Sequence, residues 1–300
     1  MKVDDVQGDD SIIEDRRGQS GGSGGGGLSI GKGGKIGIPA LIMLVVLFVA
    51  KGGLGGLGGG GGSMLPTDML NQISGGDQAT SEEVPAADAS TDDGQRKWLR
   101  QVSTIIQDYW EQEFGKEDKT YEPASLVVFD SPTSTGCGVG SPETGPFYCP
   151  PDKKVYIDLG FYQQLESQLG FDGDFAMAYV IAHEWGHHIQ NLLGINEYVQ
   201  QQTQGASQEE ANQLSVKMEL QADCFGGVWA KSAYDEGRLE KGDLDEALNA
   251  AAAVGDDRIQ EKTQGRIDPE SFTHGSAAQR QKWFDAGYES GDPGSCDTFG

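Results

Sequence analysis

Residues 183–190, HEWGHHIQ, constrain this chain more than any other stretch, because they set His183, Glu184 and His187 in the order H-E-x-x-H. Two histidines four apart leave one helix face about one turn apart, so two neutral imidazoles can reach one tetrahedral zinc. Glu184 lies about 100° further round the helix. There it is poorly placed to bind the metal but well placed to take a proton from a water beside it. The apolar run Phe175 to Ala182 precedes the motif, and Ile189, Leu192 and Leu193 continue it until Gly194 supplies a stop signal. The helix is therefore a buried one. Histidines and a glutamate inside it are costly unless partners satisfy them, and a metal does so. His188 points away from the pair and reads as a hydrogen-bonded structural histidine.

A catalytic zinc takes three protein ligands and leaves its fourth position open. In the H-E-x-x-H-x-x-G-x-x-H class the glycine and last histidine would fall at 190 and 193, where this chain has Gln190 and Leu193. That class is excluded. A carboxylate from a second helix remains, and MELQADCFGGVWA (Met218 to Ala230) offers Glu219 and Asp223 four apart on one face. One of them can bind the metal while the other accepts a proton from the far nitrogen of a ligating histidine.

The rest of the chain divides by composition. Residues 1–35 are polar and glycine-rich and read as a disordered tail. Ile36 to Leu57 is apolar apart from Lys51 and, as a helix of about 33 Å, is long enough to cross a bilayer. Arg16, Arg17, Lys32 and Lys35 come before it, and Lys51 is the last cation before Arg96. The bias places the tail in the cytoplasm and the remainder outside, on one retained membrane helix. Residues 58–94, entered from a glycine tract, read as a flexible linker. The folded domain is expected over 95–300, opening on a helix with the stripe Trp98, Val102, Ile105, Ile106, Tyr109 and Trp110. LVVF (126–129) and KVYIDL (154–159) are strand candidates. Helices are expected near 160–169, 173–193, 207–235, 243–253 and 276–289. The fold class is α+β: a mainly helical, zincin-like metallopeptidase domain with a small sheet.

A net charge of −25 argues against nucleic acid or an anionic membrane surface as partner. GCGVG (136–140) has no helix start after it and is a turn rather than a nucleotide loop. Cys137, Cys149, Cys224 and Cys296 form no C-x-x-C pair, which favours two disulfides in an oxidising compartment over a zinc ribbon.

Five blocks in order resemble the bacterial neutral zinc metallopeptidases, a group related to the glutamate-ligand zincins. They are GPFYCPPDKKVYIDLGF, HEWGHHIQNLLG, MELQADCFGGVWA, SFTHGSAAQRQKWFDAGYESGD and CDTF, and together they cover roughly residues 98–300. The resemblance implies a membrane-anchored peptidase with Zn2+ as cofactor. It makes His183, His187 and Glu219 the ligands, Glu184 the catalytic acid, and Asp223 the residue that orients a histidine ligand. Cysteine pairing is expected as Cys137 with Cys149 and Cys224 with Cys296. His274 is the catalytic candidate for an oxyanion donor, and Tyr179 and Tyr198 flank the motif helix. By analogy with zincins, KVYIDL is the candidate edge for a peptide substrate. The expected function is zinc-dependent endopeptidase action on peptide or protein substrates on the extracytoplasmic side, with Glu184 as general base. The rivals are a non-catalytic zinc-containing binding or chaperone-like module and a cell-wall amide hydrolase.

Overall fold

A computed structural model describes residues 1–18, 92–160 and 173–300. Strand β1 (Ile13–Asp15) comes from the N-terminal segment, followed by helix α1 (Asp92–Lys116) and β2 (Ser125–Phe129). Next come a small hairpin, β3 (Thr133–Thr135) and β4 (Gly138–Gly140), then β5 (Phe147–Cys149) and β6 (Lys154–Asp158). Among the described residues there follow α2 (Asp174–Leu192), α3 (Ile195–Thr203), α4 (Gln208–Asp235), α5 (Asp243–Ala253), α6 (Asp256–Gln264) and α7 (Ala277–Ser290). The architecture is α+β and mainly helical. The expected helix at 160–169 falls, from residue 161 on, outside the described residues, as do the apolar segment 36–57 and nearly all of the linker.

Capping chemistry fixes where the site-bearing helices begin and end. Ser207 and Glu210 form a capping box at the start of α4, and Ser276 and Gln279 do the same for α7. Gly194, in the left-handed region at φ 77°, follows α2 and turns the chain into α3. Of the stripe expected on α1, Val102, Ile105, Ile106, Tyr109 and Trp110 are buried and Trp98 is only partly so, its neighbour Leu99 entering the core instead.

The sheet order is β1-β2-β6-β5, with β1, β2 and β6 parallel and β5 antiparallel to β6. Leu126 of β2 pairs with Ile13 on one side and Val155 on the other. Leu126, Val128, Val155 and Ile157 face the helical core, while Val127, Phe129, Cys149 and Tyr156 form a second cluster on the opposite face. Burial on both faces explains why LVVF is apolar throughout rather than alternating. It also corrects one expectation: KVYIDL supplies β6, an interior strand of the described sheet, paired with β2 along Lys154–Asp158 and with β5 along Lys154–Tyr156, rather than an edge strand.

The expectation of a disordered tail over 1–35 does not hold for its first 18 residues, which belong to the folded body. Met1, Val3, Ile12 and Ile13 are buried in the main core. Gln101 Nε2 donates to the carbonyls of Val3 (2.9 Å) and Val6 (2.7 Å), and the Arg16 amide donates to Val128 O (2.8 Å). The folded unit thus starts at the N-terminal segment rather than near residue 95. The β1–β2 ladder sets Ile13–Asp15 beside Leu126–Val128. Among the described residues no helix is long and apolar enough to cross a membrane.

Both expected disulfides are present, Cys137–Cys149 and Cys224–Cys296. The first ties the β3–β4 hairpin to β5. The second ties the C-terminal segment to the middle of α4.

Candidate metal centre

Helices α2 and α4 cross at small residues. A Cβ built on Gly186 would lie 2.9 Å from both Cα and O of Ala222, so the backbones meet there without room for a side chain. Three residues before that contact on α4, Glu219 faces both motif histidines, and one residue after it Asp223 meets His183.

His183 Nε2 lies 3.2 Å from Glu219 Oε2, and His187 Nε2 lies 3.5 Å from Glu219 Oε1. One ligand atom from each of the three residues falls within a 4.8 Å cluster. With zinc–ligand bonds of about 2.0–2.1 Å, the edges of a tetrahedron are about 3.3 Å, close to each of these N–O separations, one to either oxygen of Glu219. The opposite ring nitrogens are already engaged. His183 Nδ1 is 2.8 Å from Asp223 Oδ1, and His187 Nδ1 is 2.8 Å from Gln190 Oε1. Each carboxylate or amide oxygen accepts from Nδ1–H, which leaves both Nε2 positions to a metal in place of a proton. The donor set of two imidazoles and one carboxylate suits zinc. Glu219 thus faces both Nε2 atoms, and Asp223 stands behind His183.

Burial and charge set the protonation of these groups. Burial pulls the His183 imidazole down, but Asp223 and Glu219 outweigh it and hold its pKa near 9. Burial pushes Asp223 up, and Arg280 and His183 together overcome it and bring it to about 2. Glu219 is likewise opposed by burial and held well below the usual carboxylate range by His187 and His274. Glu184 differs: burial raises its pKa, and the nearby imidazoles only partly offset that.

Two partners of the centre, Gln190 and Arg280, lie within blocks that carry the resemblance but are not among the site residues expected from the sequence. Gln190 donates from Nε2 to Met218 O (2.7 Å) and Gln221 Oε1 (3.1 Å), so its oxygen is fixed toward His187. Its position three residues after His187 on the same helix was the available signal. Arg280 of α7 meets Asp223 with its guanidinium and is itself buried. It sits in a stretch, AAQRQK, that reads as a solvated helix face.

Other candidates are distributed as follows. His188 accepts from Tyr148 OH (2.9 Å) and donates to Glu122 O (2.7 Å), a buried structural histidine whose imidazole burial lowers to about 4. Tyr179 OH donates to Asp223 Oδ1 (2.5 Å), behind His183, so it is committed to that carboxylate. Tyr198 packs edge-on against Phe299. His274 stands on a loop whose three successive amides, those of Thr273, His274 and Gly275, donate to Asp256 Oδ2 at 2.6, 2.6 and 3.0 Å. That loop rests on Val216 and Leu220 of α4, which brings the imidazole close enough to Glu219 to lower its pKa. A second acidic cluster, Asp174, Asp243 and Glu246, contains no histidine; the Met1 ammonium lies 2.7 Å from Asp174 and 3.2 Å from Asp243.

Comparison with known proteins follows the same line. Residues 1–299 match the family model described as "Putative neutral zinc metallopeptidase". The chain is 51% identical over 231 residues to the "Uncharacterized protein YpfJ" of Escherichia coli (strain K12), covering 77% of this chain and 80% of that protein. It is 52% identical over 191 residues to the "Uncharacterized protein Rv2575" of Mycobacterium tuberculosis (strain H37Rv), covering 60% of this chain and 63% of that protein. No solved structure matches.

Proposed function

Because the chain belongs to the neutral zinc metallopeptidase family, we propose that it is a zinc-dependent endopeptidase with His183, His187 and Glu219 as metal ligands and Glu184 as general base. The observation that carries this reading is the division of labour on the two imidazoles. Both Nδ1 atoms are engaged by Asp223 and Gln190, and both Nε2 atoms turn to one carboxylate.

A zinc ion held by these residues would supply Lewis acidity, lowering the pKa of water and polarising a scissile carbonyl. The protein's own part is proton transfer and orientation. Glu184, with its carboxyl raised by burial, takes the proton of the attacking water and returns it to the leaving nitrogen. Asp223 and Gln190 keep the histidine rings in the tautomer that leaves Nε2 free. His274, held by the Asp256 clamp, is the donor for the developing oxyanion.

With β6 interior, the outer strands of the described sheet are β1 and β5, and the edge of β5 is the candidate for pairing with an extended peptide. Two disulfides support an oxidising compartment. The β1–β2 pairing supports residues 1–18 and 92–300 lying on one side of any membrane that the apolar stretch 36–57 meets.

The test is digestion of a peptide library by the purified full chain, with and without zinc, beside digestion of cell-wall material. Peptide cleavage that stops on chelation supports the proposal. Release of cell-wall fragments with intact peptides would make it an amide hydrolase of another class.

A further inference from the structure

We propose that Arg280 is a positioning residue of the metal centre: its guanidinium fixes the plane of the Asp223 carboxylate, which in turn fixes the ring of His183. The proposal rests on reading His183, His187 and Glu219 as a zinc site.

Arg280 lies in the second turn of α7, and both it and Asp223 are buried, at 3% and 0% exposure. Arg280 Nε donates to Asp223 Oδ2 at 2.8 Å and Nη2 donates to Oδ1 at 2.8 Å, a two-pronged contact that uses both carboxylate oxygens. The same Oδ1 accepts from Tyr179 OH at 2.5 Å and faces His183 Nδ1 at 2.8 Å. A carboxylate held by one oxygen can turn about its Cβ–Cγ bond. One held by a rigid fork cannot, and the direction in which Oδ1 meets the imidazole is set with it.

Arg280 Nη2 also comes within 3.3 Å of His183 Nδ1 and 3.2 Å of Tyr179 OH. A guanidinium has no acceptor, so the Nδ1 proton can go only to Asp223, and Nε2 is left for the metal. The contact joins three helices, α2, α4 and α7, at one carboxylate. Neutralising a buried charge would need only a cation. Fixing the ring needs the planar fork, and a lysine at 280 separates the two roles.

The experiment is a thermodynamic cycle on the full chain with wild type, Arg280→Lys, Asp223→Asn and the double variant. Zinc affinity is measured by competition with a chelator, the cobalt(II) absorption spectrum of each protein is recorded, and circular dichroism reports the fold. A folded Arg280→Lys should bind zinc about 10 to 100-fold more weakly, with an altered cobalt spectrum, as for loss of an orienting partner. In the Asp223→Asn background the same change should have no further effect, because Arg280 acts through Asp223. Wild-type zinc affinity in Arg280→Lys, or losses that multiply in the double variant, would overturn the proposal. If Arg280→Lys does not fold, Arg280→Gln combined with Asp223→Asn leaves neither buried charge and is compared with Asp223→Asn alone. Equal zinc affinities then support action through Asp223, and a further tenfold loss overturns it. A wild-type chain that binds no zinc removes the metal reading itself, which is distinct from a zinc-binding wild type matched by Arg280→Lys.

Discussion

Gly227 of α4 lies directly against the carbonyl of Phe284 on α7: a Cβ at Gly227 would stand 2.0 Å from that oxygen. The reciprocal contact is as close, since a Cβ on Gly287 would stand 2.0 Å from Cys224 O. The ligand helix and the helix bearing Arg280 therefore touch backbone to backbone. Gly227→Ala should destabilise the protein by about 3 kcal/mol or more, because the obstacle is backbone that cannot rotate away. Thermal unfolding should show a fall of roughly 6–12 °C, and an unchanged midpoint would contradict the packing.

Metal affinity should separate the groups around the two histidines. Glu219→Ala should purify with little zinc, whereas Asp223→Ala and Gln190→Ala should each bind it about 10 to 100-fold more weakly and regain activity with added zinc. Zinc titration of the three variants checks the order. A zinc-free Asp223→Ala beside a zinc-loaded Glu219→Ala would reverse the assignment.

The N-terminal segment should prove integral to the domain. Ile13→Asp puts a charge into the core beside Leu126 and should cost at least about 3 kcal/mol, read as a lower unfolding midpoint. Single cysteines placed at the exposed Ser11 and Gly300 should react with an impermeant thiol reagent from the same side of sealed membrane vesicles. Labelling from opposite sides would contradict the β1–β2 pairing.

Reduction should act mainly through the longer loop. Cys224–Cys296 spans 72 residues and Cys137–Cys149 spans 12, which on chain-entropy grounds correspond to about 4 and about 3 kcal/mol. Cys296 also accepts from Gln221 Nε2 (2.8 Å), whose side chain holds Gln190 and through it His187. Cys296→Ser should therefore lower zinc affinity as well as the unfolding midpoint, while Cys137→Ser should lower the midpoint alone. Zinc titration and thermal unfolding of the two variants decide between these outcomes.

Much of this centre is legible in the sequence because local spacing carries it. H-E-x-x-H and Glu219 with Asp223 are each single-helix patterns, and helix periodicity places α1, α2, α4, α5 and α7 within a residue or a few of their observed ends. What is not legible depends on partners distant in the chain. Strand β1 has only three residues, lies in a polar segment, and finds its partner more than 110 positions away at Leu126. KVYIDL looks the same in sequence whether it lies at an edge or in the interior of a sheet; the pairing of β5 and β2 on its two sides decides that. Arg280 has the flanks of a surface residue, and only the crossing of α7 over α4 buries it against Asp223.

Paired zinc analysis and peptide digestion of wild type and Glu184→Gln decide whether a zinc centre cleaves peptides here with Glu184 as base. Wild type should carry about one zinc per chain and cleave peptides, and Glu184→Gln should keep its zinc while turnover falls by about 10² to 10⁴-fold. A zinc-loaded wild type that cleaves no peptide, or a Glu184→Gln variant as fast as wild type, would contradict that reading.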